Sequence, residues 1–537
     1  MRIGIAQINS TLGDFKGNSD KILDFVHRAF EKKCTLVVFP ECSLFGYHPF
    51  DLLERQELVE EQLKWVSYIE KRIPKSIYVL LGLFTLNPKS LGRPYFNSVA
   101  LVKKQKKTKF FHKQLLPTGD VFDEARFVKP GRLINNYFKI EDKNFFLTIC
   151  EDIWAWPMDK KSSYDRNPLL EVPLQKVDLV INMSASPYFP GKLNLRHFVT
   201  QKTSAHFKAP LMYVNMVGAQ DEIIYDGASF VIQPNGKKPL VCYSFEEDLN
   251  VYDIENKSSW HIAKNQKPVE ELRKALVLGI SDFCKKTGFK KIHLGVSGGI
   301  DSALVAALAV DALGPQNVTG IALPGPFNKK MSLNLAKKLC KNLGVEFKQV
   351  PINSLYKTFI STLSKSIGLK KFGLVHENLQ SRLRGITLMA YANLNQSLLL
   401  STSNKSEMAT GYATLYGDMC GGLAPIGDLT KKQVYELCAY YNHQSEVIPI
   451  QIIQRPPSAE LRPNQKDEDN LPPYRSLDAA VEHIVEKGKP AENKIEKWLF
   501  DRILKTEFKR WQAPPILKVS SHSFGRGRRF PVALKSP

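Results

Sequence analysis

Cysteine is scarce in this 537-residue chain: eight are present, at 34, 42, 150, 242, 284, 340, 420 and 438. They show no metal-site pairing and are too sparse for a disulfide scaffold, so a reducing compartment is expected. No apolar run reaches the roughly 18 residues of a membrane-spanning helix. The start, "MRIGIAQINS", passes from one arginine into a short alternating strand without an apolar leader or cleavage site. No membrane span and a cytoplasmic location are the expectations. Acidic residues are also in short supply, 53 against 75 Lys plus Arg, for a formal charge of +22. Such an excess attracts anions, whether nucleic acid, acidic membrane or small phosphorylated substrates. Yet there is no Cys/His finger, helix-turn-helix signature or aromatic-basic strand. Lysine patches such as "KKQKKTK" (103–109) and the terminal "FGRGRRFP" therefore read as solvated surface, and no nucleic-acid partner is expected. No internal repeat is present.

What the chain does hold is 43% hydrophobic residues, which at this length can fill two substantial cores. Up to residue 253, short β-rich runs ("RIGIAQI", "TLVVFP", "IYVLLGLF", "YFNSVALV", "NFFLTIC", "VDLVINMSA") outnumber the amphipathic helical stretches, which predicts a layered α/β domain. The polar segment "IENKSSWHIAKNQKP" (254–268) reads as a connection. From 269 to 537 the rhythm changes to strand, glycine loop, helix, strand, helix, strand, the pattern of a parallel sheet flanked by helices. The stretch "RPPSAELRPNQKDEDNLPPY" (455–474) is too rich in proline and charge for a regular element and reads as a mobile loop or a lid.

Three predicted strands of the first domain end in reactive residues: Glu41 after "TLVVFP", Cys150 after "FFLTI", and Ser184 and Ser186 in "VDLVINMSAS". Side chains at the carboxyl ends of neighbouring strands converge on one crevice. Lys113 stands between the first two. A nearby cation favours the thiolate, and a carboxylate can accept and return the proton, so Glu, Lys and Cys together can hydrolyse an amide through a thioester. Lys113 and a backbone N–H would steady the oxyanion. Each residue alone is equally readable as strand-end filler or surface.

In the second domain, "IHLGVSGGIDSALVAAL" sets Ser297, Gly298, Gly299, Asp301 and Ser302 between a strand and a helix. The glycines allow close backbone approach, and a helix amino terminus offers N–H groups to phosphate oxygens. Asp301 can help hold Mg²⁺. The GxxxxGK[ST] loop of kinases and GTPases is missing, because no lysine stands at the matching place.

The motifs "FPECSLFGY", "HKQLLPTGDVFDEARFV" and "ICEDIW" resemble those of the glutamine-hydrolysing branch of nitrilase-type amidases. That resemblance implies an α-β-β-α sandwich with Glu41 as general base, Lys113 as oxyanion-stabilising cation and Cys150 as nucleophile. It places Glu124 near the substrate and makes Ser184, Ser186 and Tyr188 glutamine contacts. "SGGIDS" is similar to the signature of N-type ATP pyrophosphatases, with a Rossmann-like parallel sheet of the adenine nucleotide alpha hydrolase type. Together with "HENLQSRLRG", "LLLSTSNKSEMATGY", "RPPSAEL" and "FKRWQAPPILKVS", in this order over nearly the whole chain, it resembles the glutamine-dependent NAD synthetase family.

The resemblance implies that ATP adenylylates the nicotinate carboxylate of deamido-NAD and that ammonia from glutamine displaces AMP, with Mg²⁺ and no prosthetic group. Glu407 would join Asp301 on Mg²⁺ and Thr402 would lie near ATP. Glu377, Asn378, Arg382 and Arg384 would belong to the deamido-NAD side. Lys405 and Lys518 are cation candidates for phosphate or pyrophosphate, on the ATP and deamido-NAD sides respectively. Both arginines are also readable as helix-surface ion pairs and Lys518 as terminal surface.

The chain departs from the family pattern twice, with "LPGPFNKKMS" (323–332) in place of a serine-rich "SRYSS"-like segment and Ser403 in place of glycine. Ammonia in bulk water is lost to protonation, so an internal tunnel and a homo-oligomer are expected. The same chemistry on another carboxylic acid, and a noncatalytic binding module on enzyme folds, are the alternatives.

Overall fold

The computed structural model describes residues 1–89, 91–158, 163–238, 240–255, 266–528 and 530–534; most of the expected connection, 256–265, lies outside the described residues. The chain divides into two compact units, Met1–Gln266 and Lys267–Pro537.

The first unit runs β1 (Arg2–Gln7), α1 (Phe15–Glu31), β2 (Leu36–Val38), α2 (Gln56–Arg72), β3 (Tyr78–Leu86), β4 (Tyr95–Val102), β5 (Lys109–His112), β6 (Tyr137–Ile140), β7 (Lys143–Ile149), β8 (Leu179–Ser184), α3 (Lys192–Phe207), β9 (Leu211–Asn215), β10 (Val217–Gln220), β11 (Ile223–Asp226), β12 (Phe230–Ile232), β13 (Leu240–Val241) and β14 (Asp248–Asp253). Two six-stranded sheets form, ordered β14-β1-β2-β3-β4-β5 and β13-β12-β9-β8-β7-β6, with β10-β11 a separate hairpin. Strand alternation sorts the side chains. Ile3, Ile5, Leu36 and Val38 meet Leu147, Ile149, Ile181 and Met183 in a core between the sheets. Val37, Val79 and Leu81 instead face Ile22 and Val26 of α1 and Val66 and Ile69 of α2. On the other side Phe146, Val180 and Tyr213 pack on Val199 and Phe207 of α3. The result is the α-β-β-α sandwich expected from the motifs. Its parallel β7 and β8 pair Ile149 with Met183, so Cys150 and Ser184 stand at neighbouring strand ends.

The second unit runs α4 (Pro268–Thr287), β15 (Ile292–Gly295), α5 (Ile300–Leu313), β16 (Val318–Ala322), α6 (Lys330–Leu343), β17 (Glu346–Gln349), α7 (Asn353–Ile367), α8 (Leu374–Asn395), β18 (Leu398–Leu400), α9 (Lys405–Thr410) and α10 (Lys431–Tyr441), followed by shorter helices that include Tyr474–Val481 and Lys494–Lys505. Its four strands are all parallel in the order β17-β16-β15-β18. The chain moves from β15 to β16 on one side and returns to β18 on the other, so the crevice opens at the end of β15. The glycine loop sits there. Gly298 has φ +76°, and a Cβ at that position would lie 2.3 Å from the Ser332 carbonyl oxygen, so only glycine fits.

Candidate active sites

The first centre lies where the two sheets of the sandwich end together. Glu41, three residues past β2, is fully buried. Its Oε1 accepts from Lys113 Nζ at 2.8 Å and from Asn97 Nδ2 at 2.8 Å, and its Oε2 accepts from the Ala185 N–H at 2.9 Å. Lys113 directly follows β5, is fully buried, and donates also to Glu124 Oε1 at 2.9 Å. Tyr47 donates to that same oxygen at 2.6 Å. Cys150 opens a short 3₁₀ turn after β7 with φ +43°, a left-handed conformation that costs a non-glycine residue strain and tends to persist at functional sites. Asp152 holds that turn by accepting from the N–H groups of Gln114, Leu115 and Ile149, each at 2.9 Å.

Burial and the Glu41 carboxylate push the Cys150 thiol well above its usual range, and Lys113 only partly offsets them. The cation does not hold a ready-made thiolate here, because its charge is shared between Glu41 and Glu124. Burial works against the Lys113 ammonium, but those two carboxylates outweigh it and raise its pKa. Burial also raises Glu41, against the pull of Lys113. A protonated thiol beside a carboxylate of raised basicity suits proton transfer during attack rather than before it.

The expected glutamine contacts are all in the first unit and buried. Ser184 Oγ donates to Asn182 Oδ1 at 2.6 Å, and Asn182 Nδ2 reaches the Cys150 carbonyl at 3.4 Å. Ser186 receives Arg196 Nε at 3.2 Å, and the same guanidinium meets both oxygens of Asp226 at 2.8 Å. The Tyr188 N–H donates to the Ile224 carbonyl at 2.7 Å, and its ring stands edge-on to Phe245.

The second centre is a cavity of about 1070 Å³. That is at the top of the roughly 300–1,000 Å³ range for single small-molecule sites, so more than one mid-sized substrate has room. Ser297, Gly299, Asp301, Ser302, Glu377, Asn378, Arg384, Thr402 and Glu407 all line it, whereas Gly298, Arg382, Lys405 and Lys518 do not. Gly298 is turned against Ser332. Arg382 Nε donates to the Leu415 carbonyl at 3.2 Å. Lys405, fully buried, is paired with Asp428 at 3.0 Å and Glu486 at 2.7 Å and donates to Ser520 Oγ at 2.8 Å. Lys518 Nζ donates to the Ser520 and Ser521 carbonyls at 2.6 and 2.9 Å.

A cation that the sequence reading missed, Lys431, does face the glycine loop: it donates to Asp301 Oδ2 at 2.6 Å while Asn404 Nδ2 holds Oδ1 at 2.9 Å. Lys431 opens α10, and a lysine at a helix amino terminus opposes the helix dipole. That mismatch is the signal in the sequence that it serves something other than its own helix. Glu407 is lifted well above the usual carboxylate range by burial and by Asp301, with Lys431 opposing and Asp467 adding to it. Among the described residues no cluster of three or more ligand-type side chains occurs. The repulsion between Asp301 and Glu407 is what a hard divalent cation, taking its remaining oxygens from phosphate and water, would relieve.

The first unit is thus a nitrilase-like α-β-β-α sandwich and the second a Rossmann-like parallel α/β unit, the make-up of a glutamine amidotransferase ligase. Residues 2–259 match the carbon-nitrogen hydrolase family and residues 272–513 the NAD synthase family. The chain is 42% identical to the glutamine-dependent NAD(+) synthetase of Synechocystis over 99% of its length and 98% of that protein's. It is 36% identical to the corresponding protein of Thermotoga maritima, over 99% and 98%. The solved Acinetobacter baumannii glutamine-dependent NAD+ synthetase in complex with ADP superposes with a TM-score of 0.78 at 32% identity, covering 99% of this chain and 98% of that one. That of Cytophaga hutchinsonii shares the fold with a TM-score of 0.82 at 21% identity, over 99% and 97%. The chain belongs to the glutamine-dependent NAD(+) synthetase family.

Proposed function

We propose that residues 1–253 hydrolyse glutamine at Cys150 and that residues 269–537 use the ammonia to amidate deamido-NAD. The observation that carries the first half is the Glu41 carboxylate, bound by Lys113, Asn97 and the Ala185 N–H beside a thiol that is protonated at rest. As Cys150 Sγ attacks the carboxamide carbon, Glu41 takes the thiol proton and Lys113 steadies the oxyanion. Collapse expels ammonia with the proton returned by Glu41, and water then releases glutamate from the thioester. Ser184, Ser186 and Tyr188 line the glutamine side.

In the second unit a nicotinate oxygen attacks the α-phosphorus of ATP, pyrophosphate leaves, and ammonia displaces AMP from the acyl carbon to give NAD. Ser297, Gly299 and Ser302 cradle phosphate, with Thr402 beside ATP and Glu377, Asn378 and Arg384 toward deamido-NAD. Asp301 and Glu407 would hold Mg²⁺, which supplies charge neutralisation at the phosphates. Lys431 holds Asp301 in place. Arg382, Lys405 and Lys518 do not line the cavity and take no direct part in these steps.

The cysteines are free thiols, which supports a reducing, cytoplasmic setting, and no described helix is long and apolar enough to cross a membrane. Leu374, Val375, Ile386, Met389 and Leu394 of α8 are exposed, which supports a homo-oligomer. The deciding assay supplies ATP, Mg²⁺ and deamido-NAD with either glutamine or ammonium and measures NAD and AMP. NAD from both donors is expected, and NAD from neither overturns the proposal. Direct internal transfer of ammonia is tested with ¹⁵N-amide glutamine against excess unlabelled ammonium: label retained in NAD supports it, and dilution to the bulk ratio rejects it.

A further inference from the structure

Within the segment 455–474, which lines the cavity, one carboxylate gathers an unusual number of donors. Glu460 is 5% exposed. It accepts from Asn328 Nδ2 at 3.1 Å, the Lys329 N–H at 3.3 Å, Ser332 Oγ at 2.7 Å and an Arg455 guanidinium nitrogen at 2.8 Å. Its backbone stands at φ +50°, a region that non-glycine residues seldom enter. Such strain persists when the surroundings over-determine it, as four donors on one carboxylate do. Burial works to raise this carboxyl, but the bonds from Ser332, Asn328 and Arg455 hold it below the usual carboxylate range. Glu460 is therefore ionised and engaged by the protein itself.

Its donors are also attached to the cavity wall. Asn328, Lys329 and Ser332 belong to the departing stretch "LPGPFNKKMS", which runs from the end of β16 into the first turn of α6. Asn328 Oδ1 in turn accepts from Arg384 at 2.8 Å, and Arg384 Nε donates to the Leu323 carbonyl at 3.0 Å. Among the described residues no carboxylate forms an ion pair with Arg384, and burial pulls its guanidinium down to about 10 in spite of Glu460 and Asp418. Arg455 donates to Ser332 Oγ at 2.9 Å and reaches the Gly298 carbonyl of the glycine loop at 3.4 Å.

We infer that Glu460 is a positioning residue for ATP. It latches the strap 455–474 onto 328–332 and, through Arg455 and Asn328, sets the glycine loop and Arg384 in the cavity wall. This rests on the ATP-site reading above and deepens it. The residues that depart from the family's serine-rich segment thereby serve as the receiving half of the latch.

The test uses full-length Glu460→Gln, Arg455→Met and the double variant, with exposed Glu468→Gln on the same strap as control. NAD formation from ammonium is followed with ATP varied, glutamate release from glutamine reports an intact chain, and protease cleavage within 455–474 is timed with and without ATP. Each single variant is expected to raise the KM for ATP about 10-fold and to speed cleavage of the strap, and the double to be no worse than either, because the pair acts as a unit. Glu460→Asp, which keeps the charge, should recover part of the loss.

A Glu460→Gln enzyme within twofold of wild type in both KM for ATP and kcat would overturn the latch. So would full addition of the two losses, or an aspartate no better than glutamine. A wild-type protein that makes no NAD from ammonium overturns the ATP-site reading instead.

Discussion

The two centres handle charge in opposite ways. In the first unit one ammonium, Lys113, is enclosed with two carboxylates, and every one of the three is nearly or fully buried. In the second, Asp301, Glu407 and Asp467 surround Lys431 in a cavity of about 1070 Å³, and Glu407 is left with its charge poorly offset. The first arrangement has its charges already matched by one another, which suits the small neutral amide proposed as its substrate. In the second the carboxylates outnumber the lysine, an imbalance that the proposed divalent cation would relieve.

The largest expected effect separates the two outright. Cys150→Ala should lower glutamine-supported NAD formation by about 10³-fold or more while leaving ammonium-supported formation unchanged; equal loss with both donors would merge the centres. Next, Asp301→Asn should lower both reactions together by about 10²-fold or more, read as NAD and AMP formed from either donor.

Glu407→Gln tests the charge imbalance of the second centre. A carboxyl raised in the folded state contributes stability below its unfolded pKa and loses it as pH rises through the folded value, so at pH 7 the ionised form is a burden. The glutamine variant should melt about 2–4 °C higher at pH 7 for each roughly 1 kcal/mol relieved, lose that advantage near pH 4, and be inactive in synthesis. In the first unit, Asn97→Ala removes a donor that favours ionised Glu41, so the acid limb of glutamine hydrolysis should move to higher pH. Smallest of all, Ser403→Gly should change the KM for ATP by less than about threefold, because Ser403 does not occupy a positive-φ position and glycine is not required there.

The thiol centre was the more legible in the sequence because its residues sit at strand ends, where alternation and short apolar runs fix the position of Glu41 and Cys150. The lysine's effect was not legible. Sequence places Lys113 near the thiol, but the distribution of its charge between Glu41 and Glu124 depends on a three-way packing that spacing does not encode. Lys405 shows the same limit from the other side. It follows Asn404, whose side chain holds Asp301, yet its own ammonium turns away to Asp428, Glu486 and Ser520, partners far along the chain. Lys431, in "GDLTKK", was recoverable only through its unfavourable place at a helix start. The segment 455–474 was legible as irregular, but its fastening through Glu460 was not, since it needed a glutamate and an asparagine more than a hundred residues apart.

Glu41 leaves one sheet of the sandwich and is gripped by the Ala185 N–H just past the end of a strand in the other. The proposed general base is in effect a caliper set across the core, and the filling between its jaws is Val38, Ile149, Met183 and their neighbours. Thinning that filling, as in Met183→Ala, would alter the gap across which the proposed proton transfer from sulfur to carboxylate runs, so hydrophobic residues of the core would act as shims for that chemistry.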